Sequence, residues 1–288
     1  MLTKKASFVL SIDLELAWGV WDKLNSTNVQ KIIDTERLVC ENLLNIFDDN
    51  EMPVTWAVVA ALLDNKNKMM GNLNQKAWYA PDILDNILNS KTKHLIASHS
   101  YAHKEFNTCS NEEIIEDFEK SIFFLKSFNI NTDVFIFPRN NVFHLDVLKK
   151  FNFKTYRSID QSWYKKVYKY NKLLGKISNL IDKVIPIKTN SVSPLIDQFG
   201  LTEIPTSILL ISKNGIRTIV TNFSMFKKIK DGIDLAISKN ECFHIWFHPS
   251  NFYYQTNKQF DLLKKIIDYF NLKREQGLIE IKLLNQFN

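Results

Sequence analysis

His94-Leu95-Ile96-Ala97-Ser98-His99-Ser100-Tyr101-Ala102-His103 is the stretch on which the fold turns. Leu95-Ile96-Ala97 is a short apolar run that reads as a buried strand, and it ends on a serine and the first of two histidines four positions apart. If the chain stays extended, His99 and His103 lie roughly 13 Å apart, at about 3.3 Å per residue, and cannot share an ion. If it turns helical at His99, the two come within roughly 5–6 Å on one face, and imidazoles so placed make half of a zinc-type site. The plainer alternative is two ordinary histidines at a loop-to-helix junction.

The same pattern, an apolar run with a polar end, recurs outward from this stretch. Residues 8–12 read as a strand ending in Asp13-Leu14-Glu15, and 53–59 as a second. Residues 134–137 read as a strand ending in Pro138-Arg139-Asn140, 153–158 as another, and 242–247 as one ending in His248-Pro249. Apolar periodicity predicts helices over about 34–48, 81–88, 111–128 (with Asn111 as cap), 144–151, 164–181, 225–237 and 257–271. A late strand pair is expected over 201–210 and 217–221, and a closing strand over 278–283. Strand alternating with helix implies an α/β fold with a mainly parallel sheet. About seven such strands suggest a distorted (β/α) barrel, which gathers its active site at the carboxyl ends of the strands. Asp13, Glu15, His99, Arg139 and His248 all fall at, or within three residues of, such ends.

Composition agrees with one globular domain over residues 1–288: 45% hydrophobic, 24% charged, with 21 Phe and only 7 Gly and 7 Pro. The net charge of +6 comes from scattered lysines, as in Lys227-Lys228-Ile229-Lys230, which read as solvated faces and not as a nucleic-acid surface. Cys40, Cys109 and Cys242 form no metal or redox spacing and suit a reducing compartment. The apolar run that stops at Asp13 is too short for a signal segment, and the longest, 56–63, is far short of a membrane span. The expected location is the cytoplasm.

Two histidines and a carboxylate supply three protein ligands and leave a position for water, the pattern of a hydrolytic metal site. A second carboxylate can take a proton from water, and a histidine from another strand can protonate a leaving nitrogen. On an extended segment Asp13 and Glu15 share a face, roughly 6.6 Å apart; a loop-capping pair is the plainer reading. Trp18, Trp56 and Trp246 suit sugar CH surfaces, although large aromatics in strands are more often core. His244 lies roughly 13 Å from His248 along a strand, so the two cannot bind one ion; His244, His94 and His144 read as structural. Arg139 has two readings, a bidentate orienter of Asp13 or a partner for a surface carboxylate.

Taken in order, these motifs resemble the polysaccharide deacetylase family, also called the NodB-homology or carbohydrate esterase 4 group. Ser11-Ile12-Asp13-Leu14-Glu15 is similar to its first motif, Thr-Phe-Asp-Asp-Gly, with leucine in place of the second aspartate. His99-Ser100-Tyr101-Ala102-His103 matches its His-Ser/Thr-x-x-His. Pro138-Arg139-Asn140 resembles its arginine motif without the following Pro and Gly, and His244-Ile245-Trp246-Phe247-His248-Pro249 resembles its last. For the fourth motif, Arg157, Asp160 and Trp163 are loose candidates. The resemblance implies Asp13 as general base, Arg139 beside it, and His248 as general acid. It implies one divalent ion, with zinc expected, held by His99, His103 and Glu15, although which of Asp13 and Glu15 is the ligand stays open. Trp18, Trp56, Asn140 and Trp246 would face substrate. The expected activity is metal-dependent removal of an N-acetyl or related acyl group from an amino sugar, as an oligosaccharide or a nucleotide- or lipid-linked precursor in surface-polysaccharide synthesis. The alternatives are a metal-free hydrolase of another C–N bond, of the cyclic ureide type, and a degenerate sugar-binding homologue.

Overall fold

The computed structural model describes residues 5–23, 28–66, 71–159, 162–185 and 189–287. The chain begins with β1 (Ala6–Leu14), a 3-10 segment (Leu16–Lys23) and α1 (Val29–Asp49), followed by β2 (Thr55–Val58), α2 (Pro81–Leu88), β3 (Leu95–Ser98) and α3 (Asn111–Ser127). It continues through β4 (Val134–Ile136), α4 (Leu145–Lys150), β5 (Thr155–Ser158), α5 (Tyr164–Tyr170) and α6 (Lys172–Val184). The last third holds β6 (Leu195–Ile196), β7 (Thr202–Pro205), β8 (Ile208–Leu209), α7 (Asn222–Lys239), β9 (Cys242–Phe247), α8 (Thr256–Glu275) and β10 (Ile279–Ile281). Among the described residues no helix is long and apolar enough to cross a membrane.

β2, β3, β4 and β5 follow β1 side by side and parallel, and β9 lies parallel on the other side of β1. Residues 202–209 form one bent run: as β7 it pairs with β5, and two residues later, as β8, it pairs with β9. That bend joins the two flanks, so the parallel ring reads β1-β2-β3-β4-β5-β7/β8-β9, the distorted barrel of about seven strands that the sequence predicts. β6 adds a short antiparallel pair to β7, and β10 lies beside Ala6–Phe8 of β1.

All nine residues of β1 are buried, as a parallel strand covered on both faces requires. Its Phe8, Leu10, Ile12 and Leu14 join the large cluster between sheet and helices, whereas Val9 belongs with Ala57, Ala97, Ile136, Ile204 and Cys242 to a separate cluster. Period two therefore puts Val9, Ser11 and Asp13 on one face of β1, and Cys242, His244 and Trp246 on one face of β9. A further cluster of Phe106, Phe118, Phe135, Phe137 and Phe153 accounts for part of the heavy phenylalanine usage.

Three elements differ from expectation. The helix expected over 164–181 is two helices, because the Asn171 side chain accepts the Leu173 and Leu174 N–H groups (2.9 and 3.1 Å) and starts α6 afresh. The strand expected over 217–221 is occupied by a 3-10 segment (Gly215–Ile219) with Ile216 and Ile219 exposed, so nothing covers a pleat there. The cap of α3 is Ser110, which with Glu113 makes a reciprocal capping box, and not Asn111.

Candidate active site

The strand ends bring Asp13, Glu15, His99, His103 and His248 together. Glu15 Oε1 lies 2.9 Å from His99 Nε2, 2.9 Å from His103 Nε2 and 3.3 Å from His248 Nε2. Glu15 stands one residue past β1. The next residue, Leu16, takes a φ of +47, a left-handed backbone that costs a branched side chain of order 1–3 kcal/mol. Two contacts hold this turn. The Leu16 N–H donates to the carboxyl of Glu36, which is buried on α1. Gly19 packs so closely on Glu15 that a Cβ there would collide with Oε2.

His99 to His103 is neither extended nor helical. Ser100 and His103 have φ of +64 and +54, and the Tyr101 and Ala102 N–H groups donate to the buried Asp117 carboxylate of α3 at 2.8 and 3.2 Å. This turn sets the two imidazole centroids 5.0 Å apart. His99 Nδ1 can only donate to the Ile136 carbonyl at 2.7 Å, so a neutral His99 aims its Nε2 lone pair at the Glu15 oxygen. Two acceptors facing at 2.9 Å call for a cation between them. Two imidazole nitrogens and one carboxylate oxygen within 4.8 Å of one another fit a divalent ion such as zinc.

The Asp13 side of the site is built differently. Arg157 grips both Asp13 oxygens at 2.6 Å, and its remaining donors reach Ser11 Oγ (3.1 Å) and Asn140 Oδ1 (3.0 and 3.3 Å). Its guanidinium lies 4.5 Å over the Trp246 ring. His244 Nδ1 donates to the Pro205 carbonyl at 3.2 Å, which leaves Nε2 to accept from Ser11 Oγ at 2.8 Å. Ser11 in turn accepts from Arg157. Burial, helped by the Arg157 charge, lowers the His244 pKa to about 3 and keeps the ring neutral. Burial alone would raise the Asp13 pKa, but the adjacent Arg157 outweighs it and holds the carboxyl below its usual value.

Glu15 is likewise held well below the usual carboxylate range: burial opposes this, and His103 and His248 outweigh it. His248, one residue past β9, responds in the opposite sense. Burial disfavours its charge, yet Glu15 and, at 3.7 Å, Asp13 raise its pKa to about 9. Glu36 is pushed up to about 8 by burial and by the nearby Glu15 charge, so this third carboxyl is neutral below that pH.

Several expected site residues lie elsewhere or have other partners. Arg139 does not pair with Asp13: it meets Glu105 at 2.9 Å, and Arg157 takes the bidentate role because it is the cation inside the ring. Trp56 is fully buried against Phe47 and His94 on the outward face of β2, and Trp18 packs edge-on to Trp78 with 7% of its surface exposed; both are core, not sugar platforms. Trp246 and Asn140 border a large cavity that opens beside Arg157. His94 is structural, its Nδ1 accepting the Val54 N–H at 3.2 Å. Trp163 donates to Asp182 at 2.9 Å, and Asp160 lies outside the described residues. Ser11, Glu36 and Gly19 were not singled out by sequence; period two from Asp13 points to Ser11, whereas no local signal marks the other two.

Residues 33–157 match the sequence model of a family described as polysaccharide deacetylase. Over 83 residues the chain is 34% identical to chitin deacetylase 1 of Saccharomyces cerevisiae, a stretch amounting to 29% of this chain and 26% of that protein, so the match spans about a quarter of the relative's length. The fold superposes on a Mycobacterium smegmatis protein described as a polysaccharide deacetylase, with a TM-score of 0.68 and 13% identity over 99% of this chain and 90% of the other. It also superposes on PuuE allantoinase, with a TM-score of 0.67 and 11% identity over 100% and 90%. At these identities the likeness is one of fold. The matched segment contains His99, His103, Arg139 and Arg157, while Asp13, Glu15 and His248 lie outside it.

Proposed function

Because the chain is a relative of the polysaccharide deacetylases over residues 33–157, we propose that it is a metal-dependent hydrolase that removes an N-acyl group from an amino sugar. The observation that carries this reading is the Glu15, His99 and His103 cluster, whose two nitrogens and one oxygen converge within reach of a single ion. Glu15, His99 and His103 would hold a divalent ion, with zinc the choice of this donor set, and that ion would polarise the amide carbonyl and make a nearby water more acidic. Asp13 is the base that takes the proton from water. Arg157 holds its carboxylate ionised and in fixed orientation, and Ser11 and His244 hold Arg157. His248, protonated at neutral pH by its carboxylate neighbours, gives a proton to the leaving sugar nitrogen.

Release of acetate from a panel of N-acetylated amino sugars, measured with and without a chelator, tests the proposal. Turnover that a chelator abolishes and zinc restores supports it. Turnover indifferent to chelator replaces it with metal-free C–N hydrolysis, and sugar binding without turnover replaces it with a non-catalytic role.

A further inference from the structure

Beside the catalytic cluster lies a cavity of about 950 Å³, with Trp246 and Asn140 forming the wall nearest to Arg157. Two properties of its lining are unusual together. Among the described residues it carries six cations, Arg139, Lys165, Lys169, Lys176, Lys183 and Arg217, and no carboxylate. Among the described residues Lys169, Lys176 and Arg217 have no ion-pair partner. Between the cations the walls are mainly aliphatic, with Leu173, Ile177, Leu180, Leu209, Ile211 and Ile216, and Tyr164, Tyr168, Asn179 and Thr206 make up much of the rest.

The aliphatic lining continues out of the cavity along α6. At 100° per residue Leu173, Leu174, Ile177 and Ile181 fall on one arc, and they are 66%, 53%, 45% and 43% exposed. Lys172, Lys176 and Lys183 fall on the adjacent arc. An exposed apolar stripe edged by lysines is the pattern of a helix that meets lipid.

A neutral polysaccharide gives Lys169, Lys176 and Arg217 nothing to bind. A nucleotide carrier would supply phosphates, but among the described lining residues its ribose hydroxyls would find no carboxylate, and its polar body would meet mainly aliphatic side chains. A phosphate ester of a long aliphatic alcohol satisfies both halves of the lining. We propose that the amino sugar arrives as the phosphate ester of a polyisoprenoid alcohol: the sugar at the Glu15–histidine cluster, the phosphate among the cations, and the chain along Ile177 and the α6 stripe. This inference rests on the amino-sugar reading of the catalytic cluster and specifies the carrier.

Calorimetric titration with farnesyl phosphate, a short soluble polyisoprenoid phosphate, tests it without metal or turnover. Farnesyl phosphate should bind at least about tenfold more tightly than farnesol or UDP-N-acetylglucosamine. The double variant Lys176→Glu with Arg217→Glu, and separately Ile177→Asp, should each weaken it about tenfold. All three positions are exposed, so melting temperatures should not move. Equal binding of UDP-N-acetylglucosamine would overturn the inference, as would equal binding of farnesol or wall variants with unchanged affinity. Loss of the hydrolase reading appears separately, as absent acyl release from every substrate, so the two failures are told apart.

Discussion

The two carboxylates of the site stand two residues apart in sequence and live in opposite kinds of surroundings. Around Asp13 the hydrogen-bond accounting closes: Arg157 fills both its oxygens, Ser11 and Asn140 take the spare guanidinium protons, and His244 completes the chain to the Pro205 carbonyl. Around Glu15 it closes less well: three Nε2 atoms crowd one oxygen, His99 has already committed its other nitrogen, and His103 Nδ1 is buried without a partner among the described residues. A closed network holds a group still and ionised, which is what a base needs. An open one is a request for a cation. The contrast supports the proposed division into a base at Asp13 and a ligand at Glu15, and Leu14, which packs outward, serves neither.

The largest effect that could break this contrast is at Asp13. Asp13→Asn should retain metal, measured by elemental analysis, while kcat for acyl release falls by about 10²–10⁴-fold. If that variant instead loses its metal while Glu15→Gln keeps both metal and rate, the two carboxylates have been assigned the wrong way round. Glu15→Gln should do the reverse. Metal affinity should fall by at least the roughly 10–100-fold that loss of an outer partner costs, and excess zinc should restore part of the rate. Gly19→Ala sharpens the same point without touching a ligand: its Cβ would drive the Glu15 carboxylate from its place, so metal affinity should fall in a protein that melts near the wild-type temperature.

The two arginines give the next contrast. Arg157 is fully buried and paired with a fully buried aspartate, whereas Arg139 and Glu105 are each about one-third exposed. Arg157→Lys gives up the fork that fits a carboxylate and should lower both kcat and melting temperature; breaking a buried pair outright costs about 3–5 kcal/mol. Arg139→Lys should change stability by less than about 1 kcal/mol, the scale of a surface pair. Equal losses at the two positions, read by thermal melts and by acyl release, would show that burial does not separate their roles.

What the sequence revealed and what it hid follow from this difference. Asp13, Glu15, His99, His103 and His248 are legible because each stands where an apolar run stops, and a polar residue at a strand end is conspicuous. Arg157 is only a loose candidate in sequence because it sits inside Thr155-Tyr156-Arg157-Ser158, where a lone cation looks like a solvent-facing residue; its burial depends on Asp13, 144 positions away. Trp56 misleads in the opposite way. A tryptophan in a strand offers a face for sugar, but in a parallel ring covered by helices the outward face is core, here closed by Phe47 of α1. The break at Asn171 is hidden because the apolar periodicity runs straight through it while the capping preference is local.

The smallest effect concerns the two histidines of β9, which share a face of one strand and differ in charge. In the metal-free protein His244 has its pKa lowered to about 3 and His248 has its raised to about 9, against 6.5 for an ordinary histidine. For His244 the unfolded chain binds the proton more readily, so the stability tied to its neutral form is complete above pH 6.5 and is lost as pH falls toward 3. For His248 the folded chain binds it more readily, so that contribution is complete below 6.5 and is lost as pH rises through 9. The two histidine contributions together are therefore greatest near pH 6.5 and fall on either side of it. The alkaline decline from His248 is bounded by about 3.5 kcal/mol, from 2.5 pK units at about 1.4 kcal/mol each, and less after screening of its exposed quarter. Glu36, neutral in the fold up to about 8, adds to the same decline because the unfolded chain ionises it from about 4.5 upward. The measurement is accordingly a difference: urea midpoints of chelated wild type and His248→Gln from pH 5 to 9.5. The gap between them should narrow as pH rises from 6.5 to 9 and stay constant below 6.5. A gap that is constant across the whole range would mean that His248 is neutral in the fold, and it would remove the proton donor that the proposed reaction requires.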